Sequence, residues 1–370
     1  MKHFHILFLV LLVGCAAPTT KQVKINPVLA EIEAKKQREL VLQETVVANK
    51  RLSNISYRIL TGAVSLCSKN KHKRLGLHLW NMYSWKNEWK DTAVGIFGVS
   101  NVVQVSFAVP GSPAAKAGFR EGDVLTSIGS WPLPVGEEGI KKVNDKLREL
   151  LKENTESLTI SIIRDGKQHT LSVDTVDSCD YPVLLDPDDA VNAFADGEKL
   201  HIARGMMRFI RDDNELALVL AHELAHNTMG HIDAKQQNAM VGAAGGFLVD
   251  ILFAALGANT QGKFADMGAK AGGNAYSVEF EQEADYVGMY AMALSNFKLE
   301  EAPNFWRRMA TQSPGSIKFK STHPTTPERF IALEATVKEI RAKQSAGQPL
   351  KPDMKEPAKE PPQDGTNKSK

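Results

Sequence analysis

The stretch "ELALVLAHELAHNTMGH", residues 215 to 231, constrains this chain more than any other. Leu216, Leu218, Val219, Leu220 and Leu224 wrap nearly the whole surface of a helix, and a helix apolar all round belongs in a core. Asp212 is placed to cap its start, and Glu215 three residues later completes a capping box. His222, Glu223 and His226 then interrupt this interior helix, where burying ionisable groups without partners is expensive. A bound metal resolves the conflict. His222 and His226 are four residues apart, so they share one face and can reach one ion, while Glu223 can reach a water beside it. This is the H-E-x-x-H arrangement of two zinc ligands and a general base.

Catalytic zinc needs a third protein ligand and an open position. "SVEFEQEADYVGMYAM", residues 277 to 292, offers candidates. Glu281 and Asp285 are four apart on one helix face, which suits a ligand plus a carboxylate that fixes a histidine ring. Glu279 and Glu283 are also four apart, at a similar angle on the other side of the Phe280, Ala284, Val287, Ala291 stripe, so periodicity leaves the choice open.

H-E-L-A-H at 222 to 226, Asn192-Ala193-Phe194-Ala195 before it, and E-x-x-A-D at Glu281, Ala284 and Asp285 together resemble the gluzincin family of the type I CAAX prenyl protease, HtpX and BepA. The resemblance covers roughly residues 183 to 340 and the helix before the strand-rich region. It implies one Zn2+ per chain, with Glu281 as the third ligand and Asp285 orienting His222. "STHPTTPERF" is similar to the family's Ser-x-His-Pro segment. This places His323 near the metal, either stabilising an oxyanion or sitting on the zinc as an inhibitory fourth ligand; capping its own loop is the plainer alternative. Arg329 is expected either to assist there or to lie on a helix surface. His231, just past Gly230, reads as a helix-end residue rather than a ligand. The chain departs from the family in lacking the evident transmembrane helices of the prenyl protease and HtpX, and in carrying an inserted domain.

That insert spans about 92 to 176, where the texture changes to strands and turns. "VVQVSFAVPGSPAAKAGFREGDVLTSIG" reads as strand, turn, short helix and a second strand. "LTISIIRDGKQHTLSV" reads as a hairpin with its turn at Asp165-Gly166. Ser112-Pro113-Ala114-Ala115, Ala117-Gly118, Gly122-Asp123-Val124-Leu125 and Arg164-Asp165-Gly166 resemble PDZ domains of the bacterial HtrA type. The resemblance implies capture of extended peptide ends by strand addition. The carboxylate-binding loop is expected at Val94-Gly95-Ile96-Phe97-Gly98; the alternative is a module that only packs on its neighbour. Trp80, Trp85 and Trp89 lie close together ahead of it and are expected to fill a core or a seam.

At the N-terminus, Phe4 to Val13 is too short for a bilayer span, which needs about 20 residues, and reads as a signal peptide. Leu12-Val13-Gly14-Cys15 matches the bacterial lipoprotein box, so Cys15 is expected to be lipidated. With Ala16 following, the expected place is the outer membrane, facing the periplasm; an inner-membrane lipoprotein or a soluble periplasmic protein is the alternative. Disulfides persist there, and Cys67 and Cys179, which bracket the insert, are expected to pair and staple its junctions. Asn26-Pro27 opens an amphipathic helix running to about Leu60, expected to pack on the body. Residues 239 to 258 are nearly all apolar, but Asp250 and many Gly and Ala residues argue for a buried or lid-like helical hairpin, membrane contact being the alternative. A net charge of +2 gives no reason to expect a nucleic-acid partner. Residues 342 to 370 read as a disordered tail.

The expected fold is α+β: a mainly helical zinc-peptidase domain with a small β-sheet, and a PDZ-like β-rich domain inserted after an N-terminal helix. The boundaries fall at 1–15 for the signal peptide, 16–91 for the N-terminal helical region, 92–176 for the PDZ-like domain, 177–341 for the peptidase and 342–370 for the tail. The expected function is a zinc-dependent endopeptidase of the bacterial envelope, cleaving misfolded or unassembled envelope proteins with Glu223 as general base. Its expected partners are polypeptide substrates, peptide ends at the PDZ-like domain, and a membrane reached through the lipid anchor. The alternative is a chaperone-like assembly factor or peptide-binding adaptor with little proteolysis.

Overall fold

The computed structural model describes residues 18–355, apart from positions 69, 87, 153–154, 257–258, 275–276, 313–322 and 324–325. The signal peptide, Cys15 and the last part of the expected tail lie outside the described residues.

Helix α1 (Pro27–Gly62) begins where Asn26 Oδ1 accepts the Val28 N–H and Pro27 takes the first turn. Only its second half packs on the body, through Leu52, Ile55, Ile59 and Leu60. Leu29, Ile32 and Leu40 of the first half stay exposed, so the expected full-length packing is confined to the last turns.

The chain then leaves the body through β1 (Lys71–Arg74) and returns through β8 (Val176–Cys179), which pair antiparallel as a neck. The Cys67–Cys179 disulfide closes this neck. Between them lie β2 (Leu77–Trp80), α2 (Glu88–Phe97), β3 (Gln104–Ala108), α3 (Pro113–Lys116), β4 (Val124–Ile128), β5 (Trp131–Pro132), α4 (Gly139–Leu150), β6 (Ser157–Arg164) and β7 (Lys167–Asp174). The sheet runs β2-β3-β4-β6-β7, with β5 on β4. Leu125, Val143, Ile160 and Ile162 are in its core. Asp165 and Gly166 both have positive φ and make the tight β6–β7 turn. Arg164 from that hairpin reaches buried Asp123 with two 2.6 Å hydrogen bonds, tying the Gly-Asp turn to the sheet. Trp80, Trp85 and Trp89 cluster with Leu42 of α1 and seal the seam between that helix and the insert.

The body contains β9 (Val183–Asp186), β10 (Ala193–Ala195) and β11 (Leu200–Ala203), ordered β10-β11-β9, with β9 parallel and β10 antiparallel to β11. Helices α5 (Arg204–Phe209), α6 (Asp213–Thr228), α7 (His231–Ala255), α8 (Lys263–Gly273), α9 (Ser277–Leu294), α10 (Ala302–Gln312) and α11 (Pro327–Ser345) follow. The fold is α+β. Helix α6 is buried from Leu216 to Asn227, as its all-round apolar surface requires. Helix α9 crosses it at Gly288, where a Cβ would lie 3.1 Å from the His222 backbone nitrogen. That close approach brings the acidic side chains of α9 level with the histidines of α6.

Two expectations change. The hairpin of α7 and α8 forms, but it is not buried: Val241, Leu248 and Leu252 are exposed. Its helices touch along glycines, since a Cβ on Gly242 would lie 2.0 Å from the Gly268 carbonyl oxygen and one on Gly246 1.9 Å from that of Phe264. Asp250 is explained by capping: its carboxylate accepts the N–H groups of Phe264 and Ala265 at the start of α8. The tail is also ordered further than expected. Helix α11 runs to Ser345, Leu350 packs on the core, Lys343 Nζ donates to the Lys351 carbonyl, and the Asp353 N–H donates to Tyr286 Oη. One apolar side chain and a few backbone bonds are enough to hold residues 342 to 355 that composition reads as unstructured.

Candidate metal centre

The start of α6 is fixed before its histidines are reached. Asp212 accepts the N–H groups of Asn214 and Glu215, and Glu215 accepts the Arg211 N–H, one residue upstream of a standard capping box. Arg308 of α10 grips both Glu215 oxygens at 2.6 and 2.8 Å.

Two turns on, His222 and His226 point at Glu281 of α9, and His323 enters ahead of α11. One donor atom from each of these residues falls within 4.8 Å of all the others. The Nε2 atoms of His222 and His226 are 3.2 Å apart, and each is 3.2 to 3.3 Å from a Glu281 oxygen. His323 Nδ1 lies 3.4 Å from His222 Nε2 and 2.9 Å from Glu281 Oε2. A tetrahedron whose centre is 2.0–2.1 Å from each ligand has edges of about 3.4 Å. His222 Nε2, His226 Nε2, His323 Nδ1 and the Glu281 carboxylate therefore stand close enough together to share one first-row metal ion. Glu281 Oε1, Glu223 Oε2 and His323 Nε2 are buried without a hydrogen-bond partner among the described residues, as atoms awaiting a ligand would be.

Charge supports the same fit. Burial opposes a charge on His222, but Asp285 and then Glu281 outweigh it and push its pKa up to about 9. Burial pulls His226 down to about 4 despite Glu281. Burial would raise Glu281, yet His323 and the two ligand imidazoles hold it well below the usual carboxylate range. With neutral imidazoles, the carboxylates of Glu223, Glu281 and Asp285 against the Arg329 guanidinium leave two negative charges, which a divalent cation would balance.

Each histidine of α6 is also oriented from behind. Asp285 Oδ1 stands 3.0 Å from His222 Nδ1, a close contact off the ideal hydrogen-bond line. Asp285 is itself held by Arg329, from Nε at 2.6 Å and a terminal nitrogen at 2.8 Å. His226 Nδ1 is 2.9 Å from His231 Nδ1, and His231 Nε2 is 2.9 Å from Glu283 Oε2. The carboxylate fixes the proton order. His231 must donate from Nε2 to Glu283, so its Nδ1 accepts from His226 Nδ1–H, which leaves the His226 Nε2 lone pair facing the centre. The pair His231 and Glu283 was missed in the sequence, where only the second acidic spacing of α9 hinted at it. Glu279 is exposed and takes no part.

Glu223 is buried beside this cluster, with Oε1 3.6 Å from His323 Nε2. A cavity of about 300 Å³ opens in front of them, lined by Asn192, Phe194, Ala195, Glu223, His226, Ile232, Lys235 and His323. Strand β10, on the edge of its sheet, forms one wall. Trp306 packs edge-on to the His222 ring, 5.0 Å between centroids.

The expected peptide loop is not a loop. Gly95, Ile96 and Phe97 form the last turn of α2, and the Gly98 N–H is bonded to the Val94 carbonyl, so these amides are spent inside a helix. Ile96 and Phe97 pack on Trp80 and Trp85, which is why the segment coils rather than opens. A cleft of about 510 Å³ lies where edge strand β2 and β1 face α4 and α1, lined by Tyr57, Arg74, Gly76, His78, Asn144 and Arg148 among others. Gly76 has φ 70°, and a Cβ there would lie 2.3 Å from the Ser112 side chain, so only glycine fits.

Residues 173–337 match peptidase family M48, and residues 104–164 match the PDZ domain. The beta-barrel assembly-enhancing protease of Yersinia pestis is 32% identical over 154 residues, covering 38% of this chain and 31% of that protein. The mitochondrial metalloendopeptidase OMA1 of Schizosaccharomyces pombe is 29% identical over 166 residues, covering 44% of this chain and 47% of that protein. The chain thus spans between about a third and a half of the length of these relatives. Among solved structures, an HtrA3 PDZ domain bound to a phage-derived ligand aligns at 18% identity with a TM-score of 0.22, covering 29% of this chain and 90% of that one.

Proposed function

We propose that this chain, in which residues 173–337 belong to peptidase family M48 and residues 104–164 to the PDZ domains, is a zinc endopeptidase of the bacterial envelope acting on misfolded or unassembled envelope proteins. The observation that carries the reading is the convergence of His222, His226, Glu281 and His323 within 4.8 Å, with Glu223 beside them. His222, His226 and Glu281 would hold the zinc, which when bound supplies Lewis acidity and makes water a usable nucleophile near neutral pH.

The chain's own residues do the rest. Glu223 is placed to take the proton of the attacking water and to pass it to the leaving amine. Asp285 and His231 keep both imidazoles with Nε2 toward the centre. Edge strand β10 offers backbone groups to a peptide lying extended in the cavity. His323 stands at the fourth corner, 2.9 Å from Glu281, which favours its reading as an inhibitory ligand over an oxyanion group. It must move aside before a water and a peptide can enter. The cleft between β2 and α4, flanked by Arg74 and Arg148, is suited to the carboxylate of a peptide end. Envelope location rests on the lipoprotein box at Cys15 and on the similarity to the Yersinia beta-barrel assembly-enhancing protease.

Elemental analysis and a peptide-cleavage assay on Glu223→Gln test the reading. The variant is expected to keep its zinc and lose cleavage. Unchanged cleavage would exclude Glu223 as the base. Wild-type performance of this variant in cells would instead favour the assembly-factor reading.

A further inference from the structure

The exposed apolar face of the α7–α8 hairpin is used by neither the metal centre nor the peptide cleft. We propose that this hairpin is a membrane-docking element, which lays the outer face of α7 on the acyl region of a lipid bilayer while α8 stays in water.

The two helices present opposite chemistry. At about 100° per residue, Met240, Val241, Phe247, Leu248, Ile251 and Leu252 all fall on the side of α7 away from the Gly242 and Gly246 contact. Each is between 48% and 73% exposed. On α8 the residues pointing away from the same contact are Lys263, Asp266, Met267 and Lys270, all exposed, three of the four charged. The hairpin is thus a slab with one uncharged apolar surface and one mainly charged surface interrupted by Met267, the form taken by elements that lie in a membrane interface.

Three observations favour lipid over a protein partner. The strip carries no charge: between Lys235 and Lys263 the only ionisable side chain is Asp250, which caps α8. A protein interface would be expected to have a polar rim. The helices pack by small residues, backbone against backbone, which is how helices associate where lipid removes the apolar driving force. Helix α7 is also long and apolar enough to cross a membrane, and almost none of its apolar stretch is buried. The charges on α8 and the polar Asn259-Thr260-Gln261 link argue for lying in the interface rather than crossing. Ile232 and Lys235, in the first turns of α7, line the cavity in front of Glu223. Docking would therefore hold the mouth of that cavity close to the bilayer surface. The proposal does not depend on the metal.

The test uses the full chain bound to vesicles of phosphatidylethanolamine and phosphatidylglycerol, with an environment-sensitive fluorophore at Leu252→Cys or Lys270→Cys. Both positions are exposed, so neither label disturbs a core. Spin-labelled lipid is expected to quench the probe at 252 about twofold or more and to leave the probe at 270 nearly unchanged, with aqueous iodide giving the reverse. Equal iodide quenching at both positions would overturn the proposal. Protection at 252 without lipid quenching, together with cross-linking between copies there, would assign the face to a second copy and overturn it as well.

Discussion

Asp285→Asn tests the support behind the metal ligands, because it keeps the shape of the side chain and removes its charge and one of the two oxygens that accept from Arg329. Asp285 and Arg329 have side chains 3% and 1% exposed, joined by bonds of 2.6 and 2.8 Å. Removing one partner of such a pair costs about 3–5 kcal/mol, because the other charge is left buried. Glu281 remains 3.3 Å from Arg329, so the lower end of that range is expected. For a domain of this size about 3 kcal/mol corresponds to a fall in Tm of roughly 6–12 °C. Losing the group that orients a ligand histidine weakens metal affinity by about 10–100-fold. The double variant Asp285→Leu/Arg329→Leu removes both charges. It is expected to recover much of the stability while metal binding stays weak. Calorimetric unfolding with and without chelator gives the first quantity, and competition with a chromophoric chelator the second. If Asp285→Asn unfolds within about 1 °C of the parent, or the double variant is no more stable than the single one, the reasoning fails.

Three further outcomes follow from the same geometry. His231→Ala removes the acceptor behind His226 and should weaken metal affinity about tenfold or more, with Glu283→Gln having a smaller effect; equal affinity in chelator competition would refute the proton order given above. Cys67 and Cys179 are 112 residues apart, so reduction, or Cys67→Ser/Cys179→Ser, should cost roughly 2–5 kcal/mol in denaturant unfolding; an unchanged midpoint would mean the neck does not need its bridge. In metal-stripped protein, the raised pKa of His222, about 9, supplies stability that is fully present below about 6.5 and is lost as pH rises through about 9. Metal uptake near neutral pH should therefore release at least one proton, from His222 and from His323, whose pKa burial would lower but Glu281 and Glu223 raise, with none coming from His226 with its pKa near 4. Titration calorimetry in buffers of different ionisation heat checks this, and zero release would contradict it.

Much of this was legible in the sequence where one helix must satisfy two demands at once. Helix α6 is apolar all round yet carries His222, Glu223 and His226, residues that a shared metal ion reconciles and that core histidines satisfied by their neighbours would otherwise have to explain. For α9 the periodicity alone was ambiguous, because its two acidic spacings look alike. The structure uses both sides, Glu281 and Asp285 toward the centre and Glu283 through His231, and that division depends on how Gly288 sets the crossing. The expected carboxylate-binding loop is a helix end, because the packing of Ile96 and Phe97 on tryptophans coils a stretch whose Gly95 and Gly98 look like loop residues. The cleft proposed for a peptide end is bordered by Leu75-Gly76-Leu77, which leads into a four-residue strand whose identity depends on pairing with β3. Composition could not tell whether residues 239 to 258 are inside or outside, since an apolar run has the same sequence whether a core or a membrane covers it.

The account depends on one metal ion held between α6 and α9. Anomalous scattering from crystals of the zinc-loaded chain, collected across the zinc edge, tests it most directly. The expected result is a single peak, about 2.0–2.2 Å from His222 Nε2, His226 Nε2 and a Glu281 oxygen. No peak at that position, or one ligated without Glu281, would contradict it.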